Sequence, residues 1–107
     1  MSLYNKVVDC INNWNEEVFR SLHHPDFLLI RETELTTLED HLKEVFAAEN
    51  PSDAFLLAQS ELVHENPYVM ESRIYHKDNT VTIIVGQKRD GLIWRVTRNT
   101  QQIRKTI

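Results

Sequence analysis

Apolar residues near the start of the chain recur every three or four positions, as they do along one face of an α-helix. The residues of this stripe are Leu3, Val7, Cys10, Ile11 and Trp14. The spacing predicts a first helix along this stretch. Cys10 lies within the stripe, so we expect it to act as a small buried apolar side chain.

A second helix is predicted after Asn15, whose side chain can cap a first turn. Glu16 and Glu17 follow, where the positive end of the helix dipole favours negative charge. We expect the helix to end within residues 23–26, because a residue that precedes a proline is disfavoured in the helical region. The apolar stripe of this helix comprises Val18, Phe19 and Leu22.

Residues 27–30 form a short, fully apolar run that is typical of a buried strand. A third helix is predicted to open at Thr36, because Thr36 and Glu39 have the spacing of a capping box. Its apolar stripe would comprise Leu38, Leu42, Val45 and Phe46.

The second half of the chain predicts an antiparallel meander. Hairpin turns are expected at residues 77–79 and 89–91, the second from its Asp-Gly pair. Gly86 lies inside a strand, where we predict a bulge or sharp bend. The run at 54–63 could equally extend helical structure. The predicted strands cover residues 54–63, 68–76, 80–88 and 92–97.

Strict alternation in the last strand assigns its side chains to two faces. One face would carry Leu92, Trp94 and Val96, and the other Ile93, Arg95 and Thr97. Helices followed by a meander predict an α+β class, and the length of 107 residues predicts a single domain over residues 1–107.

Composition excludes several functional classes. Two glycines cannot build a Walker loop or a dinucleotide fingerprint, and one cysteine excludes an internal disulfide or a zinc site of paired cysteines. The longest apolar runs are about five residues, too short to span a membrane, and the start of the chain has no signal-peptide core. We therefore expect a cytoplasmic protein with no membrane segment and no cofactor.

Charge is distributed unevenly along the chain. Residues 1–85 hold six basic and fifteen acidic side chains, whereas residues 86–107 hold six basic side chains and one acidic. A basic segment can mark a nucleic-acid or phosphate surface. The net charge of −4 would repel a polyanion, so we favour a basic strand that faces acidic helices or an acidic second subunit.

Three stretches resemble the nuclear transport factor 2-like superfamily, which includes ketosteroid isomerase and the SnoaL-like polyketide cyclases. They are the helix break at Trp14-Asn15, the strand entry His24-Pro25-Asp26-Phe27 and the closing hairpin at residues 87–95. The resemblance implies an α+β cone, with about three helices packed on a strongly curved, mainly antiparallel sheet of four to six strands. It also implies an interior pocket and a homodimer formed through the sheet.

The catalytic residues of ketosteroid isomerase do not carry over to this sequence. Their positions fall near Val7, Arg31 and Val85, with Glu32 beside the second. A carboxylate base needs an acidic side chain at the substrate proton, and arginine cannot accept one. These mismatches argue against that proton transfer and leave open whether the protein is an enzyme.

Four residues are candidates to contact a ligand in such a pocket: Trp14, Arg31, His41 and Tyr68. His41 or Glu32 could also serve as an acid or base. Each has a purely structural alternative. His41 could be a boundary histidine, Arg31 and Glu32 a surface ion pair, and the two aromatic residues part of the core.

No metal site is predicted. His23, His24 and Asp26 lie close together in the sequence, but adjacent histidines rarely converge on one ion and no further ligand stands at diagnostic spacing. Pro25 and Asp26 more simply turn the chain from one element to the next.

The leading hypothesis is a domain that binds a small molecule in a mostly apolar pocket. The first alternative is a SnoaL-like lyase or isomerase that uses His41 or Glu32. The second is a non-enzymatic dimerisation or interaction module, suggested by apolar Tyr75, Ile84 and Ile93 on mixed faces of the meander. A binding domain should contain an apolar cavity, and an interaction module should have its cone filled by side chains.

Overall fold

The computed structural model describes residues 2–46 and 59–103, which form three helices and six strands. The helices are α1 (Leu3–Asn12), α2 (Glu16–Ser21) and α3 (Leu38–Phe46). The strands are β1 (His23–Arg31), β2 (Glu34–Thr37), β3 (Glu61–Glu65), β4 (Val69–Tyr75), β5 (Thr80–Arg89) and β6 (Leu92–Gln102). The predicted α+β class is confirmed.

The six strands form one sheet in the order β2-β1-β6-β5-β4-β3. Strands β3 to β6 make the predicted antiparallel meander, and β1 pairs with β2 as a further antiparallel hairpin. The contact between β1 and β6 is parallel and joins the two halves of the chain. The sheet is therefore mainly antiparallel, as predicted.

Extra residues bend the sheet in three of its strands. In β1, His23 pairs with Ile93 and Leu28 pairs with Arg95, so five steps along β1 match only two steps along the neighbouring β6. In β3, Val63 is the extra residue, because the register shifts between Leu62 and His64. Bulges of this kind increase the local twist and curl a sheet. The three helices and this curved sheet form the predicted cone.

The third irregularity lies between β5 and β6. Gln87 pairs with Arg95 and Lys88 pairs with Ile93, so Trp94 of β6 is the extra residue. The bulge predicted at Gly86 is therefore wrong in position, since Gly86 itself pairs regularly with Met70. The glycine serves a different purpose. A Cβ at Gly86 would lie 3.0 Å from Cε of Met70, so its absence leaves room for that side chain.

The extra residue also changes the faces of β6. Ile93 is buried, and both Ile93 and Val96 line the interior of the cone. The strict alternation predicted from the sequence, which placed these two residues on opposite faces, is wrong because Trp94 interrupts it.

The predicted cap of the second helix, Asn15, agrees with the structure, which also shows Ser2 as the cap of the first helix. Ser2 Oγ accepts the Asn5 N–H at 3.2 Å, and Asn15 Oδ1 accepts the Val18 N–H at 3.2 Å. The cap of α3 lies one residue later than predicted. Thr37 Oγ1 accepts the Asp40 N–H at 3.2 Å. Thr36, the predicted cap, belongs to β2 and is buried. Strand β2 was not predicted from the sequence.

Strand boundaries differ from the prediction at two places. β1 begins at His23 rather than at residue 27, so it includes Pro25 within its irregular part. β3 begins at Glu61, and residues 54–58 of the predicted strand 54–63 lie outside the described part of the chain. The side chains at positions 45 and 46 of the predicted α3 stripe also lie outside it.

The predicted hairpin turns are confirmed. Asp90 and Gly91 have φ values of +54° and +75°, the left-handed pair that a two-residue hairpin of this type needs. Asn79 has φ +64° in the turn before β5. Asparagine, aspartate and glycine tolerate this region better than other residues.

The three helices contribute to one core with the sheet, and the Cys10 thiol is buried in it. Burial raises the pKa of Cys10, which suits an inert core thiol. The core comprises Tyr4, Val7, Cys10, Ile11, Phe19, Phe27, Leu29, Leu42, Met70 and Ile93.

The three apolar residues taken to suggest a dimerising sheet do not share a surface. Ile84 and Ile93 are buried and line the inside of the cone, which corrects that use of them. Tyr75 is exposed.

Within the described ranges, no helix combines the length and apolar character needed to cross a membrane.

Candidate functional site

A cavity of about 70 Å³ lies inside the cone, between the helices and the sheet. A single water needs roughly 10–15 Å³ on a comparable measure, whereas pockets for drug-sized ligands occupy roughly 300–1,000 Å³. The space therefore suits a compact molecule. Its apolar lining comprises Val7, Ile11, Phe19, Phe27, Leu29, Met70, Ile84, Ile93 and Val96, and its polar lining His23, His41, Ser72 and Arg98.

His23 stands at the start of β1, with its ring against those of Phe19 and Phe27. Its Nδ1 lies 2.6 Å from the Phe19 carbonyl oxygen, which can only accept a hydrogen bond. Nδ1 therefore carries a proton, and in the neutral ring Nε2 is the remaining acceptor. Burial lowers the pKa of His23 to about 4, so the ring is neutral at pH 7.

His41 projects from α3 and is 8% exposed, with its ring centroid 6.3 Å from that of Phe19 and 6.5 Å from that of Phe27. Its Nδ1 lies 3.8 Å from Glu44 Oε2. Burial lowers the pKa of His41 to about 4 despite the opposing effect of Glu44. The cavity is thus lined by two neutral imidazoles at pH 7.

Arg98 of β6 supplies the charged group in the cavity lining. It is half-buried and pairs in register with Arg31 of β1. Burial, with the charge of Arg31 as a second cause, lowers the pKa of Arg98. Within residues 2–46 and 59–103, no side chain forms a hydrogen bond or ion pair with its guanidinium.

Arg31, by contrast, has acidic partners. Its Nη2 lies 2.6 Å from Glu44 and 3.3 Å from Glu34, and it donates to Thr36 Oγ1 at 3.2 Å. Arg31 is absent from the cavity lining. The structure thus gives Arg31 an ion-pairing role, but with Glu34 and Glu44 rather than with Glu32, the partner named in its alternative interpretation.

The structure places one of the four predicted ligand contacts, His41, on the cavity wall. Trp14 lies outside the lining and packs on Phe19 with ring centroids 5.2 Å apart. Tyr68 is 78% exposed in the turn that leads into β4. The four residues therefore do not converge on this cavity.

Glu32, the second candidate base, lies in the turn between β1 and β2 with φ +55°. It is exposed, and its carboxylate accepts the Thr100 N–H at 3.2 Å. Glu32 is not part of the cavity lining, so this cavity gives it no contact with a ligand.

Sequence reasoning missed three polar residues of the lining: His23, Ser72 and Arg98. Arg98 could have been found, because it stands two positions after inward-facing Val96 in a regular part of β6. His23 follows Phe19 by four residues, a spacing that keeps it near the same helix face. Nothing in the sequence marks Ser72.

The basic C-terminal segment makes contacts within the chain. Lys88 forms an ion pair of 2.7 Å with Glu65, and both side chains are nearly buried. Arg89 and Arg95 lie against the Trp94 ring, 5.4 Å and 4.2 Å from its centroid. The partners in these contacts lie in β3 and β6, rather than on the acidic helices that the sequence interpretation named.

The residues considered for a metal site do not form one. His24 Nδ1 and Nε2 lie 4.0 Å and 3.8 Å from the carboxylates of Asp26 and Asp90, and the Phe19 carbonyl holds Nδ1 of His23. In the part of the chain that the structure describes, no three His, Cys, Asp or Glu side chains are grouped so as to hold a metal ion.

A second concavity lies outside the cone, along β1 and the start of α3. It is an open surface groove bordered by exposed Asp26 and Glu39. Ligand sites bury most of their ligand's surface, which an open groove of this kind does not do. The interior cavity is therefore the better candidate.

No protein-family model matches the sequence, and no curated protein is significantly similar to it. Solved structures do match its fold. A candidate ketosteroid isomerase from Kribbella flavida is 23% identical, with a TM-score of 0.61, over 98% of this chain and 79% of that chain. A nuclear transport factor 2-like protein of unknown function from Burkholderia xenovorans is 11% identical, with a TM-score of 0.62, over 98% and 84% of the two chains.

A candidate polyketide cyclase from Sinorhizobium meliloti is 12% identical, with a TM-score of 0.58, over 90% of this chain and 92% of that chain. Identities this low show the fold alone. The chain has the nuclear transport factor 2-like fold, in agreement with the resemblance of its sequence.

Proposed function

We propose that this protein is a small-molecule-binding domain whose ligand occupies the cavity inside the cone. The observation that carries the proposal is the cavity itself, about 70 Å³ with a mainly apolar lining. A cone that served only as an interaction module would need no such space. Apolar walls with a few polar groups are the usual composition of a ligand site.

Similar structures include a candidate isomerase, a candidate hydroxylase and a candidate polyketide cyclase. One fold hosts many functions, so these names do not identify the ligand of this chain. The proposal rests on the cavity and on the size and polarity of its lining.

Filling the cavity should abolish binding. Ile84 is 5% exposed and lines the cavity, so Ile84→Phe places extra volume where the ligand would lie. We expect wild-type protein to bind the small neutral probe isovaleramide, seen as shifts of the Val7 and Ile93 methyl resonances in an NMR titration. The Ile84→Phe variant should show at least about tenfold weaker binding, at a stability cost of about 1–3 kcal/mol.

Ile83→Phe is the matched control, because Ile83 is the adjacent residue of β5 and faces away from the cavity. It should bind isovaleramide like wild type. The proposal fails if wild-type protein shows no methyl shifts with either isovaleramide or isovalerate, the carboxylate of the same shape, or if both phenylalanine variants bind as well as wild type.

Acid–base catalysis is the second candidate function, favoured by one observation. His41 lines the cavity, and its neutral imidazole can accept a proton, although the lowered pKa makes it a weaker base than a free imidazole. Its test is α-proton exchange of a small ketone in D₂O. The exchange rate with wild-type protein should exceed the rate in imidazole buffer, and it should fall in the His41→Gln variant. An exchange rate no higher than that in imidazole buffer would rule out acid–base catalysis by His41.

The homodimer through the sheet and the cytoplasmic location stay predictions of the sequence. Analytical ultracentrifugation tests the first, since a sheet-mediated dimer predicts twice the mass of 12.6 kDa.

A further inference from the structure

We propose that the cavity selects a compact organic carboxylate and that Arg98 binds its anionic group. The inference rests on the proposed function, because it names the chemical class of ligand for the same cavity. It follows from a difference between two neighbouring arginines. Arg31 has acidic partners, whereas Arg98 has none among the described residues.

Arg98 brings a positive charge to the cavity lining. Its guanidinium is half-buried and borders an apolar cavity, and within the described ranges no acidic side chain pairs with it. A charge removed from water is costly unless it is paired and hydrogen-bonded. A ligand anion in the cavity would supply the missing partner.

No acidic side chain of the described residues supplies that partner. Glu44 is the acidic side chain that favours the charged form of Arg98. The carboxylate of Glu44, however, already forms an ion pair of 2.6 Å with Arg31. Arg31 and Arg98 are register partners on neighbouring strands, and like charges in such a pair destabilise a sheet. A bound anion would offset this repulsion.

The charges that line the cavity favour a planar monoanion. His23 and His41 are neutral at pH 7, so Arg98 is the one cation among the described residues that line the cavity. A single positive charge matches a monoanion better than a doubly charged phosphate. The planar guanidinium also fits the two oxygens of a carboxylate.

Ser72 adds a polar group to the cavity lining, and the cavity volume limits the size of the ligand. Ser72 and Arg98 both stand opposite Ile84, on the two strands that flank β5, and all three line the cavity. The Ser72 hydroxyl is thus placed to donate to an oxygen of the ligand. The remaining walls are apolar, so a short branched acid suits the volume of about 70 Å³.

The experiment compares isovalerate with isovaleramide, which has the same shape and no charge, in NMR titrations at pH 7. Hydrogen bonds that involve a charged group are about twice as strong as neutral ones. We expect wild-type protein to bind the carboxylate about tenfold more tightly than the amide. Arg98→Gln should remove this preference, so that the two probes bind with similar affinity, and Arg98→Lys should retain part of it.

Arg89→Gln is the control, because Arg89 is an exposed arginine on the Trp94 ring and lies outside the cavity. It should keep the full preference. Equal binding of both probes by wild-type protein overturns the carboxylate inference and leaves the proposed function standing, whereas binding of neither overturns the proposed function. A preference that survives in Arg98→Gln, or tighter binding of inorganic phosphate than of isovalerate, also overturns the inference.

Discussion

Replacing Phe19 by alanine is expected to lower the free energy of unfolding by about 3–5 kcal/mol. Phe19 is 1% exposed and stands at the centre of an aromatic cluster. Its ring lies 5.2 Å from that of Trp14 and 4.3 Å from that of His23, and it also contacts the cavity. The truncation would remove these contacts and enlarge the existing cavity. Urea unfolding at pH 7, monitored by tryptophan fluorescence, measures the loss.

Val18→Ala provides the control on the same helix, since Val18 is 44% exposed. It should cost no more than about 0.5 kcal/mol. Phe19→Leu keeps most of the volume and should cost less than about 1.5 kcal/mol. If Phe19→Ala were as mild as Val18→Ala, Phe19 would not be the central packing residue that the structure makes it.

Stability is expected to fall steeply as the pH decreases from 7 to 5. An unfolded histidine takes up its proton near pH 6.5, whereas His23 and His41 do so only near pH 4, because burial disfavours the charged ring. Between these values the unfolded state binds more protons, so acid favours unfolding. Each histidine should contribute a loss of about 2 kcal/mol between pH 7 and pH 5.

The two histidines together predict a loss of up to about 4 kcal/mol over this interval, measured by urea unfolding at each pH. His41→Gln should remove about half of the dependence, and His64→Gln, at an exposed position, should leave it unchanged. A wild-type stability that is flat from pH 7 to pH 5 would contradict the buried, neutral state of both rings. NMR titration of the imidazole Cε1 protons would locate the two pKa values directly.

Local sequence signals predicted the features that depend on neighbouring residues. The helix cap at Asn15 and the left-handed turn at Asp90-Gly91 follow from side chains a few positions apart. Periodicity likewise placed Val7 and Cys10 in the core. Such features need no knowledge of the rest of the chain, which is why they can be predicted from it.

Features that depend on distant pairing were not predictable in the same way. The extra residue Trp94 is defined only by the register of β6 against β5, and its presence reverses the face that simple alternation gives to Ile93. The short strand β2 forms against β1, so nothing in its own four residues distinguishes it from a helix entry. The glycine at position 86 is explained only by the approach of Met70.

The same distinction applies to the site. His41 was predicted because it borders the apolar face of a helix, and the structure places it in the cavity lining. Tyr68 is a candidate by its aromatic side chain alone. An aromatic side chain by itself does not distinguish a pocket residue from an exposed turn residue such as Tyr68. Arg98 was hidden in a basic segment whose other members serve different contacts, such as Lys88 with Glu65.

The central claim, that the cone contains a cavity able to accept a ligand, is tested most directly with xenon, which binds to apolar cavities without polar contacts. Methyl NMR spectra recorded under xenon pressure should show saturable shifts at Val7, Ile11 and Ile93, which line the cavity, and none at exposed Val18. The absence of shifts at the lining residues would show that the interior is filled. Equal shifts at Val18 would show that xenon does not bind preferentially in the cavity. Either result would contradict the account.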